Sequence, residues 1–425
     1  MNKNKLELYK GVFSAFTTRG ISIIAGYIFS FLIAFYYGAK GVGIFSISQT
    51  LIVISSILSV LGFDVAIIRF FSENKSIPRI KMIYLKILKL VIPLAFLISI
   101  IVYFTSSLLA DFFNDKDLLY SIKYASFGIL PLSLIFINAE SLRAMKKIKS
   151  YSLLKYAIIP SMASIVLFVI FNSKILNLEG IIASYVFAIY FTFILSLFFL
   201  LREINIMDSD EGTIPFKDLL NISLPMLLTS SLFYVINWTD TIVLGYYDTA
   251  YNIGIYNISL KMSMASSIVL FSVNSIAAPK YSELYFSKKF IEFKSIVRFS
   301  SKLIFWISIP IITIIAYKAD FFLNIFGEEF KQGKAALYIL LIGQFVNISC
   351  GSVGYILMMT DKQIILRNII ILTALINLFL NIILIPSYGI IGAAIATTVA
   401  MILWNIISLI YVYKEHGFIT ISIIK

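Results

Sequence analysis

Apolar runs of roughly twenty residues recur along this chain, separated by short polar connections. None alternates with the period of two that a membrane strand would show, so each predicts a helix. The runs fall at 14–37, 43–68, 83–107, 121–142, 151–172, 180–201, 219–245, 253–278, 299–318, 335–359, 364–386 and 389–413, twelve in all. Within hydrocarbon, a span must satisfy its backbone hydrogen bonds internally, and a helix does so alone.

The two halves repeat. Gly43-Ile44-Phe45-Ser46-Ile47-Ser48 opens the second run, and Gly254-Ile255-Tyr256-Asn257-Ile258-Ser259 opens the eighth, 211 residues later in a chain of 425. Glu179-Gly180-Ile181-Ile182-Ala183 and Ile391-Gly392-Ala393-Ala394-Ile395-Ala396 form a second pair at nearly the same offset. Membrane proteins built as two similar halves place a substrate between them, which makes transport the leading functional expectation. The expected organisation is an N-terminal six-helix lobe over 1–205, a polar linker over 206–218 and a C-terminal six-helix lobe over 219–425. The linker holds Asp208, Asp210, Glu211, Gly212 and Pro215.

Charge orients the spans. Of the 35 Lys and Arg residues, 27 lie in or beside the termini and the even-to-odd connections, 7 in or beside the opposite connections, and Lys261 is left over inside a span. This bias predicts that both termini are cytoplasmic. The net charge of +13 is then mostly an orientation signal spread over short loops, so nucleic-acid binding is not expected.

Composition agrees with the pattern, at 60% hydrophobic residues, 13% charged residues and a mean hydropathy of +0.95. A single cysteine, Cys350, excludes a disulfide framework within one chain and cysteine-based zinc sites. The one histidine, His416, lies in the C-terminal tail, so a Ser-His-Asp site within the membrane has no support, and neither has a metal centre. Gly327 to Gly333-Lys334-Ala335 lacks the spacing and the Ser/Thr of a phosphate-binding loop, so ATP hydrolysis is not expected. No cofactor is implied. Lys3, Lys5 and Lys10 precede the first run without a cleavage signal after it, which reads as a retained first span.

Three blocks carry a family resemblance. The first is Tyr37-Gly38-Ala39-Lys40-Gly41-Val42-Gly43-Ile44-Phe45, continuing to Leu61-Gly62-Phe63-Asp64 and Ile68-Arg69-Phe70. The second is Asp240-Thr241-Ile242-Val243-Leu244-Gly245, with Gly254-Ile255-Tyr256 and Pro279 downstream. The third is Asn381, Pro386 and Tyr388-Gly389-Ile390-Ile391-Gly392-Ala393-Ala394. In order and spacing the chain resembles the bacterial polysaccharide-biosynthesis flippases, which carry O-antigen or capsule repeat units. Their superfamily also holds multidrug exporters and peptidoglycan-precursor flippases. The resemblance implies an all-α integral membrane protein with about twelve helices in two pseudo-symmetric lobes around a V-shaped central cavity. It implies alternating access in a bacterial cytoplasmic membrane, no enzymatic activity, and an undecaprenyl-pyrophosphate-linked oligosaccharide as substrate. Implied partners are the lipid bilayer, a coupling ion (H+ or Na+) and other polysaccharide-assembly proteins. A cation-coupled exporter and a membrane-embedded polymerase are the rival readings.

Ionisable groups inside spans cost about 2.5–3.5 kcal/mol each on insertion scales, and so mark candidate sites. Arg19 shares a helical face with Ser22, Gly26 and Ser30, and reads either as a cavity cation for an anionic headgroup or as a snorkelling boundary residue. Arg69 reads as interfacial or as a further headgroup cation. Asp64 can pair with Arg19 or bind a coupling ion. Asp240 and Lys261 fall at similar depth in adjacent spans and can pair, with Lys261 facing the substrate and Asp240 structural or ion-coupling. Asn237, Asn347, Asn377 and Asn381 lie on polar helix faces that suit either helix–helix contact or a wet lumen. Pro160, Pro225 and Pro310 fall in or near span starts, and Pro225 is the candidate hinge. An unchanged transport rate in Pro225→Ala would count against the hinge.

Overall fold

The computed structural model describes the backbone of residues 3–73, 77–172, 177–204 and 215–420. Side chains are described over 23–68, 70–71, 80–172, 177–204, 215–227 and 238–420. Among these residues every regular element is helical. In the first part of the chain they are α1 (Lys3–Val60), α2 (Phe63–Glu73), α3 (Ile77–Phe104), α4 (Ser106–Phe112), α5 (Leu118–Ala144), α6 (Ile148–Ser152), α7 (Ile158–Asn172), α8 (Glu179–Ile204) and α9 (Phe216–Tyr247). There follow α10 (Ala250–Met264), α11 (Ile268–Phe286), α12 (Phe290–Tyr317), α13 (Ala319–Asn324), α14 (Lys334–Cys350), α15 (Val353–Met359) and α16 (Gln363–His416). Nine stretches among the described residues are long and apolar enough to cross a membrane.

Two long helices are hairpins. In α1, Gly38 has φ 65° and ψ −167°, and the rings of Phe29 and Phe45 lie 5.2 Å apart. Sixteen residues of straight helix would separate them by about 24 Å, so the chain turns back at Gly38. In α16, Gly389 has φ 53° and ψ −130°, and a Cβ on Gly392 would stand 2.5 Å from the carbonyl oxygen of Leu384. That approach also requires a reversal. Left-handed φ explains glycine at both turns.

Five expected spans are interrupted, the third by a turn at Thr105 and the fifth by a π-turn at Leu153–Ala157. The second breaks at Leu61 and Gly62, both at positive φ, where Gly62 lies against the backbone of Ser223 and Leu227 in α9. The eighth passes through a 3-10 turn at Ala265–Ser267. The tenth breaks at Gly351, with φ 70°. Hydropathy averages over such breaks, because the residues on either side remain apolar.

The chain falls into two compact units, one over Ser22–Ala250 and the other made of Met1–Ile21 together with Tyr251–Lys425. In the first unit α5 packs against α8, α3 and α2, and α9 packs against α2. In hydrocarbon, packing and hydrogen bonds hold helices together rather than water exclusion. Tyr84 Oη donates to Asn138 Oδ1 (2.7 Å), and Asn138 Nδ2 donates to Ser196 Oγ (2.8 Å), linking α3, α5 and α8. Gln49 Nε2 donates to Tyr185 Oη (3.1 Å) beside the Phe29–Phe45 pair. In the second unit α14 packs against α16, and α11 against α12. There Ser267 donates to Gln344, Ser352 to Asn274, and Thr398 Oγ1 to the Ile339 carbonyl (2.9 Å). Many other hydroxyls, such as Ser46, Thr50 and Ser59, bond the carbonyl four residues back and so enter the apolar interior satisfied.

The C-terminal segment is anchored. Thr420 Oγ1 donates to the Cys350 carbonyl (2.7 Å), at the helix end left open by the break at Gly351. His416 lies within hydrogen-bond distance of Thr360 and among the rings of Tyr285, Phe293 and Phe418. Glu415 pairs with Lys362 and holds that ammonium above the usual lysine range.

Candidate functional site

One cluster of charges inside the first unit lies where α2, α5 and the turn ahead of α7 meet. Glu140, near the end of α5, is buried. Lys155 Nζ pairs with Glu140 Oε1, and Arg143 Nη1 lies 3.2 Å from Glu140 Oε2. Tyr151 stands under both cations, with Arg143 at 5.2 Å and Lys155 at 5.3 Å from its ring centroid. Both cations therefore gain a ring face as well as a carboxylate. Asp64 feels the fields of Lys155 and Glu140 from α2.

Local sequence explains each position. The break at Gly62 starts α2 afresh, which places Asp64 in its first turn, where the Val65 and Ala66 N–H groups bond the Gly62 carbonyl. The positive end of the helix dipole and free N–H groups favour a carboxylate there. Lys155 is held by a π-turn, Leu153–Ala157, inserted between α6 and α7. Pro160 follows three residues later and cannot donate to the Tyr156 carbonyl. The wider turn is compatible with that missing bond, and the Ile158 N–H reaches the Leu153 carbonyl instead. Around this cluster lie Phe63, Ile67, Ile137, Leu142, Leu154 and Leu200, an apolar core that strengthens each charge interaction.

Of the residues singled out from sequence, Asp240 is buried on α9 and Lys261 is half-buried near the end of α10. The side chains of Arg19, Arg69 and Asn237 lie outside the described residues. Asn377 and Asn381 are buried on α16, and Asn381 Nδ2 donates to Asn377 Oδ1 (3.2 Å). Asn347 is half-buried on α14, with its Nδ2 3.4 Å from Gln344 Oε1. Pro225 lies inside α9, two residues after Ser223, whose carbonyl oxygen meets Gly62. Cys350 is buried, and no cluster of three His, Cys, Asp or Glu able to hold a metal occurs among the described residues.

Sequence reasoning passed over Glu140 and Lys155. Both fall inside predicted spans, at 121–142 and 151–172, and that was the available signal. Each sits near the end of its span, where charge normally reports orientation. Only the tertiary fold brings them together.

The all-α architecture, with nine stretches among the described residues long and apolar enough to cross a membrane, defines a multi-pass membrane protein. The chain belongs to the polysaccharide biosynthesis protein family, whose model matches residues 8–285; the MatE model also matches residues 225–383. The capsular polysaccharide biosynthesis protein CapF of Staphylococcus aureus is 25% identical over 59% of this chain and 64% of its own length. The probable low-salt glycan biosynthesis flippase Agl15 of Haloferax volcanii is 24% identical over 48% of this chain and 46% of its own. The chain thus spans about half to two-thirds of the length of these relatives. In structure it is similar to the lipid II flippase MurJ in an inward closed conformation, with a TM-score of 0.78 and 16% identity over 93% of this chain and 86% of that one. An inward-facing multidrug-resistance MATE transporter of the MOP superfamily gives 0.74 and 11% over 95% and 98%. These likenesses show the fold.

Proposed function

We propose that the chain is a flippase that moves undecaprenyl-pyrophosphate-linked oligosaccharide repeat units from the inner to the outer leaflet by alternating access. The family match over residues 8–285 is the observation that carries this reading. The setting is a bacterial cytoplasmic membrane with both termini cytoplasmic and the two sequence repeats as the two lobes. Lys261, with Arg19 and Arg69, meets the anionic pyrophosphate, whose transfer into hydrocarbon needs compensating charge. Asp64, joined by Glu140, and Asp240 are the carboxylates for a coupling ion, and Pro225 is the hinge.

The direct test is a strain lacking the gene. Inner-leaflet accumulation of a completed lipid-linked repeat unit, together with loss of surface glycan, is the expected result. Normal surface glycan with raised sensitivity to cationic drugs would transfer the proposal to the exporter reading, which the MatE match over 225–383 also supports. At residue level, Lys261→Ala and Arg19→Ala are each expected to lower flipping about tenfold, equivalent to roughly 1.4 kcal/mol, at unchanged protein level. Unchanged flipping in both would remove these cations from the substrate path.

A further inference from the structure

The short helix α15 (Val353–Met359) lies between two left-handed residues, Gly351 at φ 70° and Asp361 at φ 64°. At its far end the Lys362 N–H reaches the Leu357 carbonyl (2.9 Å), the closing bond of a left-handed cap. At its near end Gly351, with ψ −137°, carries the chain out of helical geometry and cuts the tenth expected span. The helix itself packs against α16 and α11.

The segment that follows α16 touches both ends of α15. Gly417, at φ 68°, caps α16. Just before it, His416 Nε2 lies 3.2 Å from Thr360 Oγ1, and Glu415 pairs with Lys362. Beyond it, Thr420 Oγ1 donates to the Cys350 carbonyl (2.7 Å), and Thr420 is only 1% exposed. Between these two anchor points Phe418 is buried 5.9 Å from the ring of Phe293 on α12, with Lys294 over its own ring. Residues 417–420 therefore form a strap that runs back along α15 from its far end to its near end.

The Cys350 carbonyl has two possible partners. In an uninterrupted helix it would accept from the Gly354 N–H, four residues on. With the chain broken at Gly351, the Thr420 hydroxyl takes that place. A backbone carbonyl in an apolar interior needs one partner or the other. Glycine at 351 is at home in either conformation, left-handed or helical. A neutral hydrogen bond and a partly exposed ion pair each contribute little net stability, so the strap can leave without unfolding the unit.

We propose that the α14–α15 junction is a two-state switch and that residues 417–420 are its latch. Seated, the strap holds the tenth span broken; released, it lets α14 and α15 join as one helix. The switch stands on contacts within the second unit. Only its use as a gate in transport rests on the flippase reading.

The test measures the junction in the full chain in nanodiscs. Ile342→Cys on α14 and Met358→Cys on α15, both exposed positions, carry nitroxide labels in a Cys350→Ser background, and pulsed electron–electron resonance reads their separation. A continuous helix sets these positions about 24 Å apart along its axis. Thr420→Val/Phe418→Ala is expected to move most label pairs from the parent's distance to that of the continuous helix. The isosteric Thr420→Val alone should shift the distribution in the same direction, and Thr420→Ser, which keeps the hydroxyl, should leave it at the parent's distance. Thr398→Val removes a comparable hydroxyl–carbonyl bond elsewhere in the unit and should also leave it there. An unchanged distribution in Thr420→Val/Phe418→Ala overturns the latch. An equal shift in Thr398→Val overturns it as well, because the junction would then be reporting general loosening. A shift specific to the strap, in a protein whose deletion leaves lipid-linked sugars normally distributed, supports the latch and sinks the transport reading alone.

Discussion

Gly43→Ala is expected to prevent stable folding in the membrane. A Cβ built on Gly43 would stand 1.7 Å from the Ala250 carbonyl oxygen and 2.5 Å from its carbon. An ordinary carbon–oxygen contact is about 3.3–3.6 Å, so the two backbones would have to separate by more than about 1.5 Å. Both sides of the clash are main chain, and no rotamer change relieves it. Overpacking of a side chain costs about 1–3 kcal/mol, and a clash between backbones belongs at or above the upper end. The control is Gly26→Ala, where a Cβ meets nothing within 4 Å. That change is expected to be neutral or slightly stabilising, since alanine is the better helix former by roughly 1 kcal/mol. Thermal melting followed by size-exclusion chromatography in detergent reads both. Equal melting temperatures for the two variants would show that the close approach at Ala250 does not matter.

Glu140→Leu should be the most damaging single change within the charge cluster, and it should be rescued in part by a second substitution. Removing the carboxylate leaves Lys155, mostly buried, without its ion-pair partner, at a cost of about 3–5 kcal/mol. Lys155→Met alone should cost less, because Glu140 retains Arg143 at 3.2 Å. The double variant Glu140→Leu/Lys155→Met should be more stable than Glu140→Leu, since an apolar pair of similar volume often replaces a buried ion pair at little loss. A double-mutant cycle by denaturant or thermal unfolding measures the coupling. Additive effects of the two changes would mean that the pair is not energetically linked. Transport measured on the same variants separates structure from coupling: a stable double variant that no longer transports would assign Glu140 to the coupling ion.

The glycines illustrate how far the chain could be read before folding. Gly43 stood out through the repeat with Gly254, but its partner Ala250 is 207 residues away and no local pattern names it. Gly38 and Gly389 lie at the expected span ends, where left-handed turns are needed, so hydropathy found those hairpins directly. Gly62 and Gly351 lie inside expected spans, and there hydropathy ran straight through breaks that the backbone shows. Pro160 was visible as a helix irregularity, but not the π-turn ahead of it that presents Lys155 to Glu140.

The sequence by itself determined that this is an all-α multi-pass membrane protein of the polysaccharide-biosynthesis family. Those properties depend on the length and hydropathy of local runs and on the order of short motifs, all of which are written along the chain. Tertiary structure alone decided which charges meet. Glu140 and Lys155 are fifteen residues apart and belong to different helices, and Asp64 approaches them from a third. Helix packing, set by glycine contacts, a π-turn and broken spans, carries them to one place. In an apolar medium that convergence changes the energy of each group by several kcal/mol, and span-by-span reading has no access to it.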